Sequence, residues 1–175
     1  MVNVLRNIVK LIDMISEFTG MTTRWLAAAM IAIMFFEVIM RYGFNRPNIW
    51  VHQTETLLWG FYIVLGGCYV LRHDAHVHLD VIYRRLTFRK QAILDSITYI
   101  LFFVYVIVIL WYSIPWAWQS IKILEVSREV WPAPIWLMKA VVPVAVFLLL
   151  LQGIARYIRS VYGSITGKEL DVAWR

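Results

Sequence analysis

Between Asp95 and Lys122 the chain runs for 26 residues without a charged side chain, and most of those residues are aliphatic or aromatic. A helix needs about 20 such residues to cross a hydrocarbon layer of ~30 Å. No water is available there to satisfy backbone N–H and C=O groups, so a single segment of this kind must be an α-helix. Three further apolar stretches have sufficient length. The spans expected are residues 19–40, 54–71, 93–118 and 134–157, in one membrane domain covering 1–175. The fold class expected is all-α integral membrane.

Composition points the same way, since 61% hydrophobic residues and a mean hydropathy of +0.68 exceed what a soluble domain of this size carries. The net charge is +6. The basic residues lie between the apolar runs and form no stripe on a polar surface, which excludes nucleic acid and suits anionic lipid headgroups. Cys68 is the single cysteine and lies inside an apolar run, so it reads as a small packing residue.

Residues 1–18 carry Arg6, Lys10, Asp13 and Glu17, which interrupt any signal-peptide core. Leu5, Ile8, Ile12 and Ile15 recur there at helical spacing, with the charges assigned to another face. An amphipathic helix lying on the inner leaflet or on a partner is therefore expected over 1–18.

Orientation follows from the flanks. Twelve Lys and Arg residues fall in the N-terminal flank, the middle loop and the C-terminal flank, against five (Arg41, Arg46, Lys122, Arg128 and Lys139) in the other two loops. Basic residues are retained on the cytoplasmic side, so both termini are expected there. Trp50, Trp116, Trp118, Trp131 and Trp136 then gather at the outer ends of the spans, as an interfacial aromatic belt does. Gly66, Gly67, Pro115 and Pro143 are expected at close helix contacts and kinks.

Few polar residues enter the spans. Glu37 and Arg41 stand four apart on one helical face, and Glu55 enters the next helix at similar depth, so Arg41 is expected to bridge both acids and lock a hairpin. A proton or ion site is the alternative, disfavoured because none of the three lies mid-membrane. His73, His76, His78 and Asp80 are metal-ligand types, but their spacing matches no metal signature and a polar loop is expected. His52 falls on the opposite side of the membrane. Residues 77–85 suggest a short surface-lying segment. No histidine sits mid-span to hold haem, and no nucleotide loop, nucleophile elbow or catalytic carboxylate pair is present. The chain reads as a non-enzyme without metal or cofactor.

Two segments carry a family resemblance: Arg41-Tyr42-Gly43-Phe44-Asn45-Arg46-Pro47-Asn48-Ile49-Trp50 and Leu71-Arg72-His73-Asp74-Ala75-His76-Val77-His78-Leu79-Asp80. Together they resemble the DctQ-like small membrane subunit of tripartite ATP-independent periplasmic (TRAP) transporters, with its RYxFN-x-P-x-x-W outer loop and LR-x-x-x-HV-x-x-D inner loop. The chain departs in having Gln53 where that family usually has an acid, with Glu55 two residues later.

The resemblance implies a non-catalytic scaffold in the inner membrane. Its implied partners are a large multi-span subunit driven by sodium and a periplasmic binding protein that delivers organic acids. It further implies that Arg41, Asn45, Trp50 and Glu55 shape the outer loop, and that Arg72, His76 and Asp80 fix the inner one. Docking of the binding protein is expected at Asn48, Arg128, Glu129 and Trp131. A membrane anchor of a respiratory complex holding haem or quinone, and an autonomous channel, stand as alternatives.

Overall fold

The computed structural model describes residues 2–73 and 87–166, and within them the chain is four long helices without strands. Helix α1 spans Val2–Val38 and continues through a π-helical turn, Ile39–Gly43. Helix α2 spans Ile49–Arg72, α3 Phe88–Lys122 and α4 Ile135–Thr166. All four are long and apolar enough to cross a membrane.

Each helix overshoots the span expected for it, because hydropathy marks only the apolar part of a helix. At about 1.5 Å per residue, the 37 residues of α1 extend ~55 Å, nearly twice the hydrocarbon thickness. Helix α2 starts five residues before the expected 54 because Pro47 ends the preceding turn, leaving Asn48 extended (φ −102°, ψ 123°) as its N-cap residue. Both α3 and α4 continue through their prolines, Pro115 and Pro143.

The helices run antiparallel, giving two distinct ends. The terminal end carries the start of α1, the end of α2, the start of α3 and the end of α4. The turn end carries the connections 44–48 and 123–134. Helices α1, α2 and α4 pack on one another, and α3 packs chiefly on α4.

The segment expected as a separate helix over 1–18 is continuous with the first span. Its residues Val9, Ile12, Asp13 and Ser16 form a buried stripe at helical spacing. Val9 and Ile12 pack with Ala155, Leu151 and Ile158 of α4. Asp13 is thus corrected from the charged face to the buried one. Ile8, expected with the apolar set, is exposed.

Close helix approach occurs at glycines other than those singled out from sequence. A Cβ on Gly20 would stand 2.0 Å from the Tyr69 ring of α2, and one on Gly153 would stand 2.4 Å from the Phe102 ring of α3. Small residues let neighbouring backbones approach in this way. Gly66, by contrast, has no neighbour within 4 Å of its Cβ position, and Gly67 meets only Leu149 at 3.9 Å.

Candidate functional site

Polar side chains collect at the two ends of the bundle. At the turn end the hub is Glu37, which is buried. Its Oε1 accepts hydrogen bonds from Arg41 Nε (3.1 Å) and Nη2 (2.8 Å), the pair expected from the four-residue spacing. Its Oε2 accepts from Asn48, through the backbone N–H (3.2 Å) and the side-chain amide (3.0 Å). Arg41 makes no hydrogen bond or ion pair with Glu55, so the expected three-residue bridge is corrected. Asn48 from the connection occupies the second side of Glu37.

The chain reverses here within five residues. Asn45 has φ 53°, a left-handed conformation that asparagine adopts more readily than most residues. Arg46 N–H donates to Met40 C=O at 2.9 Å, closing the wide π-type turn. Trp50 then packs against Phe36 with ring centroids 6.3 Å apart. Arg41, Asn45, Asn48 and Trp50 therefore act as one reversing unit. Asn48 is committed to Glu37 rather than presented outward.

The second connection at this end is also cross-linked. Ser127 N–H donates to Ala133 C=O (2.8 Å) and Trp136 N–H to Glu125 C=O (3.1 Å). Lys139 donates to Glu125 Oε2 at 2.6 Å and lies 4.7 Å over the Trp116 ring. That hydrogen bond from Lys139 holds the Glu125 carboxyl below its ordinary value of 4.5. Arg128 and Glu129 are exposed at the tip, and Trp131 is half-buried. Ser127 Oγ donates to Gln53 Oε1 at 3.5 Å, a long contact joining the two connections.

The terminal end holds the larger cluster, which sequence reasoning missed. Asp13 is 1% exposed and Gln152 of α4 is 0% exposed. Ser16 Oγ donates to Gln152 Oε1 at 2.7 Å, and Gln152 Nε2 donates to Asp13 Oδ1 at 3.2 Å. Arg159 forms an ion pair with Asp13 Oδ2. Arg72, at the end of α2, donates to the Asp13 backbone carbonyl at 3.1 Å and pairs with Glu17. Arg156 caps α2 by donating to the carbonyls of Leu71 (3.2 Å) and Arg72 (2.6 Å), a favourable place for a cation.

One signal for this cluster was visible. Gln152 interrupts the run Leu148-Leu149-Leu150-Leu151, and a polar side chain in such a run commonly bonds to a neighbouring helix.

The His73 ring lies tilted against Tyr69 (centroids 4.4 Å apart) and stands 3.5 Å from Glu17, while His52 is exposed at the other end. His76, Asp80 and the segment 77–85 lie outside the described residues. Cys68 is buried, and its thiol stands 3.0 Å from Thr19 Oγ1.

These features define a multi-pass helical membrane protein whose polar groups join helix to helix. Residues 30–163 match the family of tripartite ATP-independent periplasmic transporters, DctQ component. The chain belongs to that family and is the small permease component of a TRAP transporter. No curated protein matches it. The matched region contains the reversing unit and both connections. It begins after Asp13.

Proposed function

We propose that this chain is a non-catalytic scaffold that fixes the large, sodium-coupled membrane subunit of its transporter during uptake of organic acids. The observation that carries the reading is the use made of the charged residues. Glu37, Asp13, Arg72, Arg156, Arg159, Glu125 and Lys139 are engaged in bonds that tie helices or connections together, and Arg41 holds Glu37 within the first helix. Such bonding stiffens a bundle, and a moving transport domain needs a stiff support.

On this proposal the terminal end faces the cytoplasm and the turn end the periplasm, in a bacterial inner membrane, as the excess of basic residues favours. Exposed Leu11, Met14 and Phe18 beside the buried stripe of α1 support contact of residues 1–18 with lipid or a partner. The binding protein docks on the exposed Arg128 and Glu129, with Trp131 and the loop around Asn48 beside them. Arg72 ties the cytoplasmic end of α2 to α1.

The test is affinity purification of the tagged chain from its native membrane in mild detergent. An equal amount of a large multi-span permease is expected with it. Recovery alone, or with redox subunits, overturns the proposal. For docking, charge reversal at Arg128 or Glu129 is expected to lower transport when binding protein is limiting, and unchanged transport counts against those residues.

A further inference from the structure

Beside the reversing unit, α1 and α2 enclose a cleft of about 290 Å³ whose lining includes Met34, Glu37, Arg41, Val51, His52 and Glu55. Glu55 is half-buried and makes no hydrogen bond or ion pair among the described residues. Its Oε1 has no partner, and the residue, only partly buried, lines the cleft. A carboxylate in that position is costly until a cation or donor reaches it. Glu37, by contrast, is already saturated by Arg41 and Asn48. Arg41 gives one edge of its guanidinium to Glu37, yet its side chain is 54% exposed and keeps donors for a second anion.

We infer that this cleft binds the headgroup of a zwitterionic phospholipid bearing a primary ammonium, with the ammonium on Glu55 and the phosphate on Arg41. Three observations select that occupant. The cleft carries an unpaired carboxylate and an exposed guanidinium together, whereas a metal ion or a lysine side chain would satisfy only the first. Arg is well suited to phosphate oxygens, and a primary ammonium brings three N–H donors to a carboxylate. The walls supplied by Met34 and Val51 are apolar, and the cleft lies at the end of two spanning helices, where headgroups lie. Its volume is just under the roughly 300–1,000 Å³ of pockets that enclose drug-sized ligands, which suits a headgroup whose acyl chains remain in the bilayer. The inference requires only that the chain spans a membrane, and it stands or falls independently of the scaffold role.

The test is native mass spectrometry of the full chain, equilibrated in mixed micelles with equal amounts of phosphatidylethanolamine, its N-methylated forms, phosphatidylcholine and phosphatidylglycerol. Phosphatidylethanolamine is expected to be retained about ten-fold over phosphatidylcholine, the scale of one charge-assisted hydrogen bond, with N-methylation lowering retention stepwise. Glu55→Gln is expected to abolish that preference while leaving retention of phosphatidylglycerol unchanged. The methylation series needs no variant, so it remains decisive if Glu55→Gln folds poorly. Equal retention of all four lipid classes overturns the inference. So does a preference that survives Glu55→Gln.

Discussion

Asp13 near the start of α1 and Arg159 near the end of α4 form an ion pair across 146 positions of sequence. The carboxylate is held by Arg159 on one oxygen and by Gln152 on the other, with Arg72 4.0 Å away, and Ser16 in turn donates to Gln152. A buried charge that keeps its partners is tolerated, but one that loses them is not.

Replacing Asp13 with alanine therefore leaves Arg159 and Gln152 without their acceptor. A loss of about 3–5 kcal/mol is expected, the range for breaking one side of a buried pair. Thermal unfolding of the purified chain in detergent measures it. A melting temperature equal to that of the parent would show the cluster to be dispensable.

Much of the fold was legible because membrane spans are a matter of length and polarity, and the run between Asp95 and Lys122 permits few other structures. Glu37 with Arg41 was legible for a related reason: four residues apart on one helix is a local relationship. Asp13 was not. Its neighbours in sequence are those of an amphipathic surface helix, and the residues that bury it come from α2 and α4. Asn48 was read as a docking residue because it lies in one of the two outer loops, while its commitment to Glu37 depends on how sharply the chain reverses at Asn45. The Gly66-Gly67 pair looked like a contact for its composition alone. The actual approaches are set by which glycine happens to face a large side chain of a neighbouring helix, Tyr69 at Gly20, Met138 at Gly60 and Phe102 at Gly153.

The glycines make a second prediction. Gly20→Leu and Gly153→Leu each force a side chain into a ring and should destabilise by about 1–3 kcal/mol, as over-packing does. Gly66→Leu faces open space within the chain and should leave the melting temperature of the isolated subunit unchanged. Equal effects at all three positions would contradict the packing described.

Loss of the Glu37 side chain releases Arg41 and Asn48 together. In Glu37→Ala the Asn48 backbone N–H loses its acceptor and its hydrogen exchange is expected to quicken about ten-fold or more, local opening being the dominant route at such a turn. Exchange at the α2 core around Cys68 should stay as in the parent.

The Glu125–Lys139 link has a defined pH dependence. The Glu125 carboxyl is held below its ordinary 4.5 in the folded chain, so it contributes stability that is complete above pH 4.5. That contribution disappears as pH falls through the lowered folded value. Hydrogen exchange at Trp136, whose N–H bonds to Glu125 C=O, should accelerate over that acidic window. In Lys139→Met the acceleration should be smaller, because the largest of the interactions that favour the ionised carboxyl is already missing while Ser120 and Arg128 remain.

The dominance of α4 in the packing has a consequence for how the protein is made. Helices α1, α2 and α3 all lean on a helix translated after them. At roughly 5–20 residues per second, the 146 positions between Asp13 and Arg159 amount to about 7–30 seconds of synthesis. For that interval Asp13 has a negative charge and no Arg159, and α3 has left the ribosome before the helix it chiefly rests on. The nascent chain must be sheltered by the insertion machinery until its last span arrives, and a ribosome stalled before residue 150 would release a protein with its keystone missing.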